Sequence, residues 1–286
     1  MCYNNNMKKL LQPTKKNINY WKKSFIPQKD VWFFRKKPPF ENCCIMSIKE
    51  YLDCYDKIEY INAYCHWMVK SHAEYVICEK EGWISSLSDK ERMFVYEEQI
   101  ICERGLIIEN IEKFVGLDVF DTAICNGRLI LSNSFFNKLS NRNQEAIVLQ
   151  YAQEQDDWEM AEDFPRKSYW GKVANTFVNN EGCNCLATVL YAITGIEHYL
   201  KKWVTQDEFL DRIKEYVEIE VDKRDNGDIV LFYDCKNNIQ HASFVINRSL
   251  CLNKNGQSKF NPISILKFKN IVEYWSELKY KVLSRR

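Results

Sequence analysis

A chain of 286 residues supports one large domain or two ordinary ones, and its 46% hydrophobic and 28% charged content excludes disordered and collagen-like classes. No window of about 18 apolar residues occurs, and the segment "MKKLLQPTKKNINYWKK" near the amino end lacks the apolar run of a secretory signal, so a soluble, cytoplasmic protein without a transmembrane segment is expected. The net charge is +1, yet residues 1–46 carry ten Lys/Arg against Asp30 and Glu41, a balance of +8 that leaves −7 for the remainder.

Residues 1–46 hold Asn and Lys runs, Pro13, Pro27 and Pro38-Pro39, and read as a basic arm or linker. Their aromatics, in "NYWKK" and "VWFFRKK", interleave with cations in the manner of a nucleic-acid or anionic-surface binder. The alternative is a tail packed on the acidic body, at "EQDDWEMAED" (Glu154–Asp163).

Residues 47–165 read as a mainly helical domain, a candidate module for a protein partner. Ser47 with Glu50 and Ser88 with Glu91 have capping-box spacing, and the second helix is expected to stop at Gly105. A short strand around Leu129–Leu131 and two further helices follow. "QYAQE" (Gln150–Glu154) stands where a zinc peptidase carries its H-E-x-x-H, without either histidine, so a plain amphipathic helix is expected there and no metal.

Pro165 and Gly171 mark a domain boundary, with residues 166–286 beyond it. "NNEGCNCLATVLYAITG" predicts a helix capped by Asn184 and stopped by Gly195, with Leu186, Val189, Leu190 and Ile193 on one stripe. Cys183 and Cys185 are spaced C-x-C with no second pair, which disfavours zinc and a redox dithiol. Cys185 falls in the first helical turn, where backbone N–H groups and the helix dipole favour a thiolate. Core packing is the competing reading, because cysteine is among the most buried residue types. The twelve cysteines are scattered among apolar neighbours and are expected to be reduced.

A helix over "TQDEFLDRIKEYVE" leads to strands in "GDIVLFYD", "QHASFVIN", "SLCLNKNGQ" and "KYKVLSRR". Helices followed by an antiparallel meander define an α+β fold. Of the four histidines, His66 and His72 suit core or surface roles, and His198, three residues past Gly195, stands too far along the chain to return to the helix start. Alternation places His241 and Ser243 on one strand face, and Cys251 and Asn253 on one face of the next. There Asn253 is positioned to hold the imidazole of His241 while its other nitrogen faces a thiol.

The order Asn184-Cys185 at a helix start, Gly227-Asp228 before a strand, and His241-Ala242 opening the next resembles the NlpC-like cysteine peptidases of the papain superfamily. These are bacterial cell-wall endopeptidases and amidases. Here "NCLATV", "GDIVLFY", "HASFVI" and "CLNKNG" follow the family's motif order from about Tyr169 onward. The resemblance implies a nucleophile helix packed on an antiparallel sheet, with Cys185 as nucleophile, His241 as base and Asn253 as orienting residue. It also implies a peptide or peptidoglycan-fragment substrate and no cofactor. Asn184 replaces the family's Asp and Leu186-Ala187 its Ser-Gly; Tyr169 and Trp170 are the nearest candidates for its upstream tyrosine. The rival expectation is a catalytically silent papain-like fold used for binding or assembly.

Overall fold

The computed structural model describes residues 9–54, 69, 72–80, 82–109, 123–161, 168–178 and 182–285. His66 and residues 55–68 of the expected helical stretch lie outside them. The chain divides into two compact units, Ile18–Tyr151, and Met1–Asn17 with Ala152–Arg286. The junction after Tyr151 precedes the boundary expected near Pro165, which lies outside the described residues.

The reading of residues 1–46 as an arm is corrected over its described part. Helix α1 (Lys15–Ser24) and the turn after it bury Ile18, Trp21 and Phe25, at i, i+3 and i+7, while Lys15, Lys16 and Lys23 stay exposed. Strand β1 (Asp30–Phe34) is buried at every position, with Trp32, Phe33 and Phe34 at 0% exposure. Of the aromatics that resemble a stacking platform in sequence, Trp21, Trp32, Phe33 and Phe34 are therefore core residues and offer no faces to bases, while Tyr20 is half-buried. Residues 9–11 do lie on the acidic stretch: Leu11 N–H donates to Trp158 O at 2.8 Å and Met160 N–H to Lys9 O at 3.0 Å.

The unit Ile18–Tyr151 is also less helical than expected. Strand β2 (Ile45–Ser47) leads into helix α2 (Ile48–Cys54), started by the Ser47–Glu50 box. Strand β3 (Tyr75–Glu79) is the middle of an antiparallel sheet ordered β1-β3-β2. The outer edge of β1 is closed by side chains of helix α4 (Asp89–Ile101), which follows the short α3 (Trp83–Ser86). Phe33 N–H donates to Gln99 Oε1 at 2.8 Å, Gln99 Nε2 donates to Phe33 O at 3.0 Å, and Arg35 N–H donates to Glu98 Oε2 at 3.0 Å. These bonds occupy the Phe33 and Arg35 backbone groups of that edge, which an added strand would otherwise pair with. The expected capping box at Ser88 and Glu91 is present, and α4 ends before Gly105. A second small sheet joins β4 (Ile107–Ile108), β5 (Ile124–Cys125) and β6 (Arg128–Ile130), followed by α5 (Asn133–Lys138) and α6 (Asn141–Gln155).

The other unit is built on α7 (Cys185–Thr194), α8 (Gln206–Arg212) and a six-stranded antiparallel sheet. Its strands are β7 (Tyr216–Ile219), β8 (Ile229–Tyr233), β9 (Ile239–Asn247), β10 (Leu250–Asn253), β11 (Ser264–Lys267) and β12 (Lys279–Arg285), with α9 (Phe268–Tyr274) before the last. The order is β11-β10-β9-β8-β12-β7. The helix expected to run through Glu218 stops at Arg212, where β-branched and aromatic residues turn the chain into β7.

Both sheet faces are covered. Ile229, Leu231, Ala242, Phe244 and Leu252 pack beneath Leu186, Val189 and Leu190 of α7. Val230, Phe232, Val245 and Cys251 point the other way, against Phe268 and Ile271 of α9. Each of those α7 side chains contributes about 1.5–3 kcal/mol on burial, which is what seats the helix on the sheet. The molecule is thus α+β. Among the described residues no helix is long and apolar enough to cross a membrane, and no group of His, Cys, Asp or Glu is placed to hold a metal.

Candidate functional site

The start of α7 is fixed by its cap. Asn184 Oδ1 accepts the Ala187 N–H at 2.9 Å while its Nδ2 donates to Val204 O at 2.8 Å, so one buried side chain sets both the helix start and its anchorage. Before it, Gly182 has φ +103°, and an added Cβ there would stand 3.1 Å from Lys201 O; both features call for glycine. Cys183 is turned into the core, its sulfur 3.4 Å from Thr188 Oγ1, and burial pushes its thiol up. Of the two cysteines, only Cys185 keeps partial exposure.

Burial also pushes the Cys185 thiol up. The backbone N–H groups of Ala242 and Leu186 and the charge of Lys254 act in the opposite direction, toward thiolate. The Leu186 N–H belongs to the open first turn of α7, and the Ala242 N–H comes from strand β9.

His241, on that strand, meets Asn253 of the neighbouring β10. His241 Nε2–H donates to Asn253 Oδ1 at 2.7 Å, and Ser243 Oγ–H donates to the same oxygen at 2.5 Å. Asn253 Nδ2 donates to Asn255 Oδ1 at 2.6 Å, which holds the amide so that its oxygen faces the imidazole. An amide oxygen only accepts, so Nε2 carries the proton and Nδ1 keeps a lone pair. Trp275, at the end of α9, lies over the imidazole with ring centroids 4.6 Å apart and planes at 19°, and Phe232 closes in at 5.7 Å. Enclosed in this way, His241 is pushed down to about 4 by burial, against the smaller opposing effect of the Asn253 hydrogen bond.

No family model, curated protein or solved structure matches this chain.

Cys185 and the His241–Asn253 pair approach β9 from different sides. Val245, two residues beyond Ser243, joins the α9 face, as do the rings that hold His241, whereas Ala242 and Phe244 join the core under α7. Cys185 packs on that second core and meets the strand at Ala242, the residue after His241. No hydrogen bond joins the Cys185 sulfur to His241 among the described residues, because strand alternation sends adjacent side chains to opposite faces. A raised thiol and a lowered imidazole make the resting pair neutral.

Tyr169 does not reach the Cys185 end of α7. Its hydroxyl donates to Ala192 O at 2.5 Å, in the last turn, and its ring stacks edge-on to Tyr191, so it braces the helix C-terminus. Trp170 is buried against Phe244. Asp228 has a structural part: its Oδ2 accepts the Asp225 N–H at 2.7 Å and closes the turn that starts β8. His198 stands on the turn Glu197–Lys201, beside Tyr199. Sequence reasoning missed Trp275, Asn255 and Lys254. The only local signals were the alternation that put Ser243 beside His241 and the step of one residue from Asn253 to Lys254.

Proposed function

We propose that the Ala152–Arg286 unit is a thiol hydrolase that cleaves an amide, peptide or isopeptide bond through Cys185, His241 and Asn253. The observation that carries this reading is the 2.7 Å bond from His241 Nε2–H to Asn253 Oδ1, which leaves Nδ1 as a proton acceptor on a strand whose next N–H meets the Cys185 sulfur. A buried histidine with a fixed tautomer, roofed by Trp275, is the kind of group a general base requires. The motif order shared with NlpC-like peptidases adds to it and suggests peptide or peptidoglycan-fragment substrates.

In this mechanism Nδ1 takes the proton from the thiol as the sulfur bonds to the substrate carbonyl carbon, once the two atoms stand within reach or have one water between them. The carbonyl electron pair moves to oxygen, where the Cys185 backbone N–H at the helix start stabilises it. The carbon–nitrogen bond then breaks, and the imidazolium returns its proton to the leaving amine. Water, deprotonated by the same Nδ1, attacks the thioester; the acid departs and the proton returns to sulfur. No step calls for a cofactor.

The neutral resting pair and the missing sulfur–imidazole bond favour a second reading, a silent fold used for binding. Alkylation separates the two. With iodoacetamide at pH 7.5 and site-resolved mass spectrometry, the catalytic reading expects Cys185 to react ahead of exposed Cys44, Cys54 and Cys235, and about tenfold more slowly in His241→Ala. Equal rates at all of these cysteines, unmoved by the substitution, favour the silent fold.

A further inference from the structure

Ser243 shares the enclosure of the proposed base and has no part in the mechanism above. It stands two residues beyond His241 on β9, where alternation returns it to the same face, and it is fully buried, at 0% exposure. Its Oγ lies 2.5 Å from Asn253 Oδ1 and 3.3 Å from His241 Nε2, and that nitrogen lies 2.7 Å from the same Oδ1. Three polar atoms from two strands thus form a closed triangle. No charged side chain hydrogen-bonds to its members among the described residues.

The register of the sheet gives the two β9 residues different places in it. Leu252 pairs with Phe244, which brings Ser243 opposite Asn253 and leaves His241 on the diagonal, two residues farther along β9. Directly opposed side chains meet across strands, whereas a diagonal neighbour is met only by a side chain that leans toward it. Asn253 Nδ2 is committed to Asn255 Oδ1 at 2.6 Å, so the amide presents its oxygen to β9. That oxygen only accepts and has two lone pairs, one taken by the His241 Nε2–H and the other by the Ser243 hydroxyl.

A buried hydroxyl needs an acceptor, and Ser243 has two within reach among the described residues, the amide oxygen and, farther off, the imidazole nitrogen. Its proton goes to the nearer oxygen, so Nε2 has no donor to accept from and carries its own proton. In the other tautomer a bare Nε2 would face the amide oxygen at 2.7 Å, and the hydroxyl could serve it only by abandoning that oxygen.

We propose that Ser243 is a positioning residue for His241: bonded across the strands to Asn253, its hydroxyl aims the amide oxygen along the diagonal at the imidazole and holds the Nε2–H tautomer that leaves Nδ1 open to a proton. The inference rests on reading His241 as the base. Ser243 acts through Asn253 and touches none of the reacting atoms.

The test is nitrogen-15 NMR of the imidazole in the full chain at pH 7, with the His241 signals assigned by their absence in His241→Gln. It reports the tautomer and the solvent exchange of the Nε2 proton and needs no turnover. The parent is expected to show one tautomer, protonated at Nε2, with that proton protected. Ser243→Ala is expected to speed its exchange by about fivefold or more, the scale of one hydrogen bond, and to bring in the Nδ1–H form. Should Ser243→Ala not hold its fold by far-UV circular dichroism, Ser243→Cys, a far weaker donor, is read in its place. Ser243→Thr keeps the hydroxyl on a side chain suited to a strand and is expected to restore the parent spectrum. A folded alanine variant with the parent's tautomer and exchange rate overturns the proposal, as does a folded threonine variant that behaves as alanine does. The expected NMR changes in a protein that hydrolyses nothing count against the proposed reaction and not against the hold of Ser243 on the imidazole. In a protein that does hydrolyse, Ser243→Ala is expected to lower kcat about tenfold with KM within about twofold.

Discussion

Cys185→Ala is expected to lower the hydrolysis of a susceptible peptide amide by about 10⁴-fold or more while leaving the fold intact, because removing a nucleophile leaves only binding and oxyanion stabilisation. Alanine is the best helix former, and the cap at Asn184 with its bonds to Ala187 and Val204 does not involve the sulfur. The substitution removes one polarisable atom from the border of the α7 core, so the change in stability is expected to stay within about 1 kcal/mol. Measuring kcat/KM on a mixed peptide library alongside the thermal midpoint separates chemistry from folding. Activity retained at a tenth or more of the parent, with the fold unchanged, would remove Cys185 from the mechanism. Cys183→Ala is the control: buried against Thr188, it has no route to substrate, and its loss affects packing alone.

Acid is expected to destabilise the protein through His241 by on the order of 3 kcal/mol between pH 6.5 and pH 4. The sign follows from the folded state holding the imidazole at about 4 against an ordinary value of 6.5. Above 6.5 both states hold it neutral and it contributes nothing to the pH dependence. Between the two values the unfolded chain binds a proton that the folded chain refuses, so stability falls as pH falls, at up to about 1.4 kcal/mol per unit. Below 4 both states are charged and the loss is complete. The physical source is the enclosure of the ring between Trp275 and Phe232, with Nε2 already committed to Asn253. His241→Gln is neutral across this range and retains an amide donor for Asn253 Oδ1. Urea unfolding of both proteins at pH 7, 5.5 and 4.5 gives the difference directly, since the acid response of the carboxylates is common to both. Parallel curves would show an imidazole that is not held neutral by burial.

Much of the site unit was legible because its signals are local. Asn184 before an apolar stripe and Gly195 after it define a helix by capping and steric freedom alone, and α7 spans the residues between them. The alternation in "HASFVI" and "CLNKNG" carried the faces of β9 and β10, including the meeting of His241 with Asn253, since a period of two needs only neighbours. What was not legible depends on packing between distant segments. Trp275 reaches His241 from more than thirty residues downstream, and no spacing rule announces it. Composition misled at the amino end: lysines and prolines suggested an arm, but Ile18, Trp21 and Phe25 keep a helical period that buries them, and a five-residue strand holding three core aromatics follows. The same alternation that brought His241 to Asn253 also turned its side chain from the face on which Cys185 packs, and the order of Cys, His and Asn along the chain does not report that.

The most direct measurement of the central claim is the mass of the protein quenched during turnover of a slow acyl substrate, such as a peptide p-nitrophenyl ester, with the adduct located by digestion. The account predicts one acyl group, on Cys185, formed in the parent, absent in Cys185→Ala and strongly reduced in His241→Ala. Acyl groups distributed over exposed Cys44, Cys54 and Cys235, at a rate that His241→Ala leaves unchanged, would contradict it.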